Sequence, residues 1–543
     1  MTTSEATITV KERARKREVS GLRFILEKCF SFPVLMGAVL VAANFEIEKS
    51  LRLDPDTWWH MKYGNIILQT GHWPAVDDWS FTVHGMPRVA YEWGGEVVTA
   101  LAYRLGGLQG MDVLLITLTS IILLLLYYFA WLRCRNSKAA FVGTVLMIPV
   151  AALCFTLRPQ LLGYIFLLIT LIALERYRQG EQKNLWILPP IFLLWVNTHG
   201  SFTLGFMVLG LYWLSGLVDF SSGGLTAVRW RPKQRIHLEL VGLASVLMLP
   251  ITPYGTRLAT VPLEVATSLP LNFADIIEWQ PLNAGLWQAK LLLILLFAFI
   301  MAQIAFRYRY RLEEFALFLI VAYSTFVHFR FAILYAIVFA PMAAAILARW
   351  VPAYDSKIDK HAINAFLIVA MGALLVHFLP SHATLKKNVS KIYPVEAVDY
   401  LKDHPIPGRM FNEYGFGGYL VWAMAPKHKV FIDGRGDIYE QAGVFSDYMD
   451  VTQMRPDALA VLQSYRIGSC LVYQNDPLAT LLSATPGWKK VYGDGVSIIF
   501  VRQPKQLTFP TASISTGVVQ EKSPWEAERF GGVVSKKKAL FAH

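Results

Sequence analysis

Charge and cysteine are scarce in this sequence. Only 17% of its 543 residues are Asp, Glu, Lys or Arg, while 55% are hydrophobic; an average soluble domain carries roughly 25% charged residues. A soluble protein this apolar would present large greasy patches to water, so that class is excluded, as are disordered and collagen-like chains. Four cysteines, Cys29, Cys134, Cys154 and Cys470, are too few for a disulfide scaffold, and no CxxC pair is present to build a zinc site. A glycine-rich phosphate loop and an internal repeat are missing as well. What these absences leave is a polytopic membrane protein, in keeping with a mean hydropathy of +0.41.

Eleven apolar stretches recur, at about 31–47, 111–132, 139–157, 159–175, 185–197, 201–219, 237–251, 288–306, 312–328, 331–348 and 362–380. Several fall short of the ~20 residues of a straight span. With the N-terminus inside, the short inner segments hold 23 Lys and Arg and the longer outer connections 8, the positive-inside bias. That bias explains the net charge of +12 without a nucleic-acid partner. The expected fold is an α-helical polytopic membrane protein of about 11 transmembrane helices with a small C-terminal α/β domain. Its parts are a basic cytoplasmic N-terminus 1–28, a transmembrane domain 29–380 with a large first outer loop 48–110, an extracytoplasmic α/β domain 381–503 and a disordered tail 504–543. Strand-like runs cover 408–412, 428–433, 468–474 and 496–502, and helical patterns cover 394–403 and 476–483. The basic start, the first apolar run and Val41-Ala42-Ala43 have the look of a signal peptide. The basic region is long for one, so the run is expected to remain as a span.

The first outer loop opens with Asp54-Pro55-Asp56-Thr57-Trp58-Trp59-His60. Pro55 stiffens the backbone and keeps Asp54 out of the helical region. An Asp fixed near the membrane face can serve as a general base or hold a divalent cation; helix capping is its plainer use. Trp58 and Trp59 suit an interface with one wet and one apolar side. Further on, Glu92 and Glu96 of Tyr91-Glu92-Trp93-Gly94-Gly95-Glu96 share a face if helical, as on an amphipathic surface helix. Polar groups also mark the outer ends of later spans: Arg158-Pro159-Gln160, Asn197-Thr198-His199-Gly200, Pro253-Tyr254-Gly255, Glu278-Trp279 and His328-Phe329-Arg330. All fall on the side of the Asp pair. Arg158 and Arg330 sit where arginine is scarce, and an arginine fork suits a phosphate. In the outer domain, Asn412-Glu413-Tyr414-Gly415 reads as a strand end and a tight turn, and Asp433-Gly434-Arg435 as a strand end and loop whose charges pair or face a ligand.

Asp54-Pro55-Asp56 in the first outer loop, the many spans and the C-terminal outer domain resemble the GT-C superfamily, integral-membrane glycosyltransferases that use polyprenyl-phosphate-linked sugars. The runs DPDTWWH, HWPAVDDWSFT, YEWGGE, RPQ, NTHG, NEYGFGGYL and FIDGRGD are similar to a group of bacterial membrane proteins over nearly the whole chain. The resemblance implies a bacterial inner-membrane protein with its C-terminal domain periplasmic or extracellular. It implies an essential first-loop acid, as base on the acceptor or as metal ligand. That role maps onto Asp54 or Asp56, with a slight preference for Asp54, and the optional cation would be Mg or Mn. Donor phosphate would meet Arg158, Arg330, His199 and His328. Substrate contacts would come from Trp58, Trp59, His60, Glu92, Glu413, Tyr414, Asp433 and Arg435. Residues 412–415 are faintly similar to the WWDYG motif of oligosaccharyltransferase catalytic subunits. Phe411 and Asn412 replace its tryptophans and Glu413 its acid, so only contact with an acceptor is carried over. The implied function is inverting transfer of a sugar from a polyprenyl-phosphate donor in the lipid bilayer to an envelope glycan, lipid or protein acceptor, with no nucleic acid involved. The alternative is non-catalytic: translocation of a lipid-linked glycan, or glycan binding in an assembly.

Overall fold

Every apolar stretch of the sequence carries a helix. In the computed structural model, which describes residues 25–51, 53–268, 276–306, 308–406 and 408–503, these are α1 (Phe32–Glu48), the second half of α3 (Trp93–Cys134), α4 (Ser137–Ala151), α5 (Gln160–Arg178), α6 (Leu188–Val196), α7 (Phe202–Ser215), α8 (Pro232–Leu247), α9 (Trp287–Phe306), α10 (Leu312–Val327), α11 (Ala332–Leu347) and α12 (His361–His377). The basic N-terminus before residue 25 and the tail 504–543 lie outside the described residues. Among the described residues, five helices are long and apolar enough to cross a membrane: Trp93–Cys134, Ser137–Cys154, Gln160–Arg178, Trp287–Phe306 and Phe329–Leu347. His361–His377 with His382–Ser390, bent by 61°, would make a sixth. The others are shorter, down to the 9 residues of α6. Along α9, the apolar side chains Ile294, Phe297, Met301 and Ile304 lie open. A helix apolar all round and still exposed suits lipid better than water.

One more helix, α2 (Pro55–Thr70), follows α1 and is not an apolar run. The first half of α3 packs on it so closely that a methyl group at Gly64 would overlap the Glu96 carbonyl. A break at Gly107, with φ at 57°, separates that half from the apolar half. At the far ends of α3, α5 and α10 three ion pairs interlock: Arg133 Nε with Glu314 at 2.8 Å, Arg178 Nε with Glu313 at 3.0 Å, and Arg311 Nη2 with Glu175 at 2.6 Å. The opposite ends of α5 and α10 carry Arg158 and His328.

The C-terminal domain is a sheet of β1 (Arg409–Asn412), β2 (Ile467–Tyr473), β3 (Trp488–Gly493) and β4 (Ser497–Arg502), in the order β1-β2-β4-β3. β1 and β2 are parallel and the other pairs antiparallel, with Phe411 opposite Cys470 and Cys470 opposite Phe500. Three of the four expected strands are present. The fourth, 428–433, joins the segment 48–110 instead: the Phe81 N–H donates to Val430 O and the Val430 N–H to Trp79 O. β3 escapes the pattern because Lys489 and Lys490 make it a polar edge. The domain is tied to the same segment by the Lys62 ammonium on Ala425 O at 2.9 Å and the Tyr393 hydroxyl on Leu53 O at 3.0 Å.

Candidate active site

Proline suits the first turn of a helix, and Asp54, in extended conformation just before Pro55, is the N-cap of α2. Its side chain accepts from the Asp56 N–H at 2.9 Å, while Thr57 Oγ1 accepts from the Asp54 N–H at 3.2 Å. The same hydroxyl donates to Leu157 O at 2.8 Å, which fixes the helix start against the turn that carries Arg158. Counting from Asp56, positions i+3 and i+4 put Trp59 and His60 on one helix face. All three line a cavity of about 330 Å³. Trp58 falls off that phase and is buried against Tyr393, Tyr419 and Trp422, with ring centroids 5.0–5.4 Å away.

Arg158 sits among three acids. Its Nη2 contacts Asp54 Oδ1 and lies 3.2 Å from Asp56 Oδ2 and 2.8 Å from Glu278 Oε1. Nη1 donates to Glu278 Oε2 at 3.0 Å. Burial pushes both aspartates up, Asp56 to about 7, against the pull of Arg158. Glu278 moves down, because the Arg158 and Arg330 charges outweigh its burial. Glu278 is therefore the ionised counter-charge of Arg158, and Asp56 changes charge near neutral pH. Asp56 Oδ1 also accepts from Trp59 Nε1 at 3.0 Å. Arg330 differs from Arg158: its guanidinium lies on Trp279, 4.0 Å from the ring centroid, with no carboxylate in ion-pair range among the described residues.

Opposite the aspartates runs a row of acids and histidines. The Ser201 N–H donates to His199 Nδ1 at 3.0 Å, so the His199 proton is on Nε2, 3.2 Å from Glu92 Oε1. Glu92 Oε2 is 3.4 Å from His60 Nε2, and His60 Nδ1 is 3.2 Å from Glu96 Oε1. Burial, with Asp56 nearby, pushes Glu92 up to about 8. Burial and the arginine charges hold His199 down to about 3 and His60 well below its usual value. At neutral pH the row is thus a protonated Glu92 between two neutral imidazoles. Glu92 and Glu96 do share a face, turned to α2.

The remaining wall comes from residues 434–437. Gly434 lies directly on Asp56, where a Cβ would overlap Oδ1, and its carbonyl accepts from the Tyr414 hydroxyl at 3.1 Å. Next to it, the buried Arg435 donates to Asp433 Oδ1 from Nε at 2.6 Å and pairs with Asp433 Oδ2 at 2.5 Å. Its Nη1 contacts Asp77 of the segment 48–110, and the Arg435 charge holds the buried Asp77 carboxyl below its usual range.

The cavity thus brings together Asp54, Asp56, Trp59, His60, Glu92, Arg158, His199, Arg330, Tyr414 and Arg435. Trp58, His328, Glu413 and Asp433 are not among its walls. His328 Nδ1–H donates to Trp279 O at 2.5 Å. Glu413, buried behind Tyr414, accepts from the Tyr448 hydroxyl at 2.8 Å, and burial pushes it up to about 8. Three charged wall residues were given no part in the site by the sequence: Glu278, noted there only as a polar group at a span end, Asp437 and Arg88. Arg88 is 5% exposed, with its guanidinium 5.0 Å from the Trp59 ring and 3.6 Å from Asp437. The reasoning that selected Arg158 and Arg330, an arginine on the arginine-poor side, selects Arg88 too. A divalent cation held between Asp54 and Asp56 does not fit this arrangement, because Arg158 Nη2 takes the place between the carboxylates.

No family model and no curated protein matches the chain. Solved structures do. The archaeal oligosaccharyltransferase AglB from Archaeoglobus fulgidus, in complex with an inhibitory peptide and a dolichol-phosphate, is 12% identical over 88% of this chain and 75% of that one, at a TM-score of 0.47. ArnT from Cupriavidus metallidurans, bound to undecaprenyl phosphate, is 15% identical over 88% of this chain and 99% of that one, at 0.47. The arabinofuranosyltransferase AftD from Mycobacteria is 14% identical over 86% of this chain and 41% of that one, at 0.48. These neighbours are of the GT-C type that the sequence resembles. At this identity and TM-score the likeness assigns no role to any residue.

Proposed function

We propose that the chain is an inverting membrane glycosyltransferase that takes a sugar from a polyprenyl-phosphate donor. One observation carries the reading: a single cavity holds a carboxyl that titrates near neutral pH, Asp56, and an arginine with an open fork, Arg330. Asp56 takes the proton of an acceptor hydroxyl as its oxygen attacks the anomeric carbon. The bond from that carbon to the phosphate oxygen breaks, the electron pair stays on the phosphate, and the charge arriving there meets Arg330. Attack and departure on opposite faces invert the centre. Asp54, committed to capping α2 and to Arg158, positions the site rather than acting as base. His199 and the protonated Glu92 hydrogen-bond sugar hydroxyls, and Tyr414 and the 434–437 loop meet the acceptor.

In this reading the shorter apolar helices also lie in the bilayer, giving the eleven crossings. The Arg133, Arg178 and Arg311 pairs then face the cytoplasm, and the cavity and residues 381–503 lie outside a bacterial inner membrane. The test is a panel of radiolabelled polyprenyl-phosphate sugars offered to the full-length protein in nanodiscs. Wild type is expected to release label from one donor, Asp56→Asn to lose about 10²–10⁴-fold in rate, and Arg330→Ala to weaken donor binding. Donor bound without release, with any acceptor supplied, would turn the reading to translocation. No binding of any donor would overturn it.

A further inference from the structure

Asp54 and Asp56 at the start of α2 and Glu278 in the 277–279 turn come from segments far apart in the chain, and their oxygens converge on one nitrogen. Arg158 Nη2 touches Asp54 Oδ1, lies 2.8 Å from Glu278 Oε1 and 3.2 Å from Asp56 Oδ2. Oxygen atoms of three acidic side chains around one point are the donor set of a hard divalent cation. Here that point is filled by the protein's own positive charge. The backbone leaves it little freedom to withdraw: Thr57 binds the carbonyl of the preceding residue, Leu157, at 2.8 Å, and Pro159 packs so tightly on Gly95 that a methyl group there would overlap it.

We infer that Arg158 is the resident cation of this site, standing where a divalent metal would otherwise be needed to hold Asp54, Asp56 and Glu278 together. The inference deepens the transferase reading, since it concerns the same cavity, and rests on that reading only in calling the cavity an active site. Like a metal, the guanidinium keeps three carboxylates from repelling one another. Unlike a metal it has no open coordination position, so it orders the acids and does not polarise a substrate oxygen. It also cannot be removed by a chelator. Taking away the guanidinium leaves the three acids around an empty centre and so creates a cation site.

The test uses Mn²⁺ as probe and does not read sugar transfer, so its failure is separate from failure of the transferase reading. Full-length wild type, Arg158→Ala and Arg158→Gln, each alone and with Asp56→Asn, are titrated with Mn²⁺ in nanodiscs at about pH 8, where carboxylates are free to bind metal, and bound Mn²⁺ is followed by electron paramagnetic resonance. Wild type is expected to bind no Mn²⁺ that Asp56→Asn removes, and a chelator to leave its thermal midpoint unchanged. The Arg158 variants are expected to take up one Mn²⁺ per chain, weakened about 10- to 100-fold or more by Asp56→Asn. Thermal unfolding identifies which variants are folded, and Arg158→Gln keeps the bulk if the alanine does not fold. Stoichiometric Mn²⁺ on wild type that Asp56→Asn abolishes overturns the inference, whatever the variants do. Folded Arg158 variants that bind no more Mn²⁺ than wild type overturn it as well.

Discussion

Replacing Gly434 with alanine adds one methyl group at the most crowded point of the cavity wall. The new Cβ would overlap Asp56 Oδ1 and lie 3.1 Å from Trp59 Nε1. Real Cβ atoms essentially never come closer than 3.0 Å to such a neighbour, so the carboxylate or the loop must move by about 1 Å in an interior that is already close-packed. Gly434 is not in the left-handed region, so the alanine carries no backbone strain of its own and the effect is steric. The loop has little room to retreat, because Arg435 is fixed between Asp433 and Asp77. Asp56 must therefore shift, which breaks its bond from Trp59 or its pairing with Arg158. Overpacking of this kind costs about 1–3 kcal/mol, and a misplacement of about 1 Å at a reacting group lowers rate about 100-fold. The assay is label release from the donor alongside thermal unfolding, for Gly434→Ala and for Gly434→Ala with Asp56→Gly. The double variant makes room for the methyl group and is expected to regain stability but not transfer. Wild-type rate and midpoint in Gly434→Ala would refute the seating of the loop on Asp56.

Further outcomes are expected elsewhere. Arg435→Ala leaves the buried Asp77 and Asp433 without their counter-charge and is expected to cost about 3–5 kcal/mol in unfolding experiments; adding Asp77→Asn should recover part of the loss, and no recovery would mean the node is not electrostatic. The transfer rate should rise with pH and level off above an apparent pKa of about 7, as Asp56 loses its proton, and a flat profile from about pH 5.5 to 8.5 would remove Asp56 as the base. Glu413, raised to about 8 in the folded chain, keeps its proton where the unfolded chain has lost it. Its contribution is full below about pH 4.5 and is lost as pH rises through 8, on the order of a few kcal/mol. Glu413→Gln should flatten that slope in pH-dependent melting, and an unchanged slope would place the titration elsewhere.

Much of the architecture was legible because lipid imposes long apolar runs, and all eleven runs are helices. The polar groups at one end of the spans were legible by side, since each sits where the membrane pattern leaves it. What each one touches was not. Arg158 looks like a phosphate ligand until Glu278, 120 residues away, is seen to take its fork. Asp54 and Asp56 are alike as residues and both line the cavity; they differ by where they fall relative to the first turn, since only Asp54 caps the helix and only Asp56 shares a helix face with Trp59 and His60. Trp58 and Trp59 were separable in principle: counting three and four residues on from Asp56 selects Trp59 and His60 and leaves Trp58 for the core. The run 428–433 has the composition of a strand, and its partners in the loop at 79–81 lie some 350 residues earlier, a pairing no local pattern encodes.

The seating of Gly434 on Asp56 also sets an order of events during synthesis. At roughly 5–20 residues per second, the loop that covers Asp56 emerges roughly 20–80 s after Asp56 itself. For that interval Asp56 stays uncovered, joined first by Arg158 and later by Glu278 as each is made. A ribosome halted between residues 380 and 433 leaves a bundle of helices with its acids uncovered, and translation through Gly434 is what closes the site.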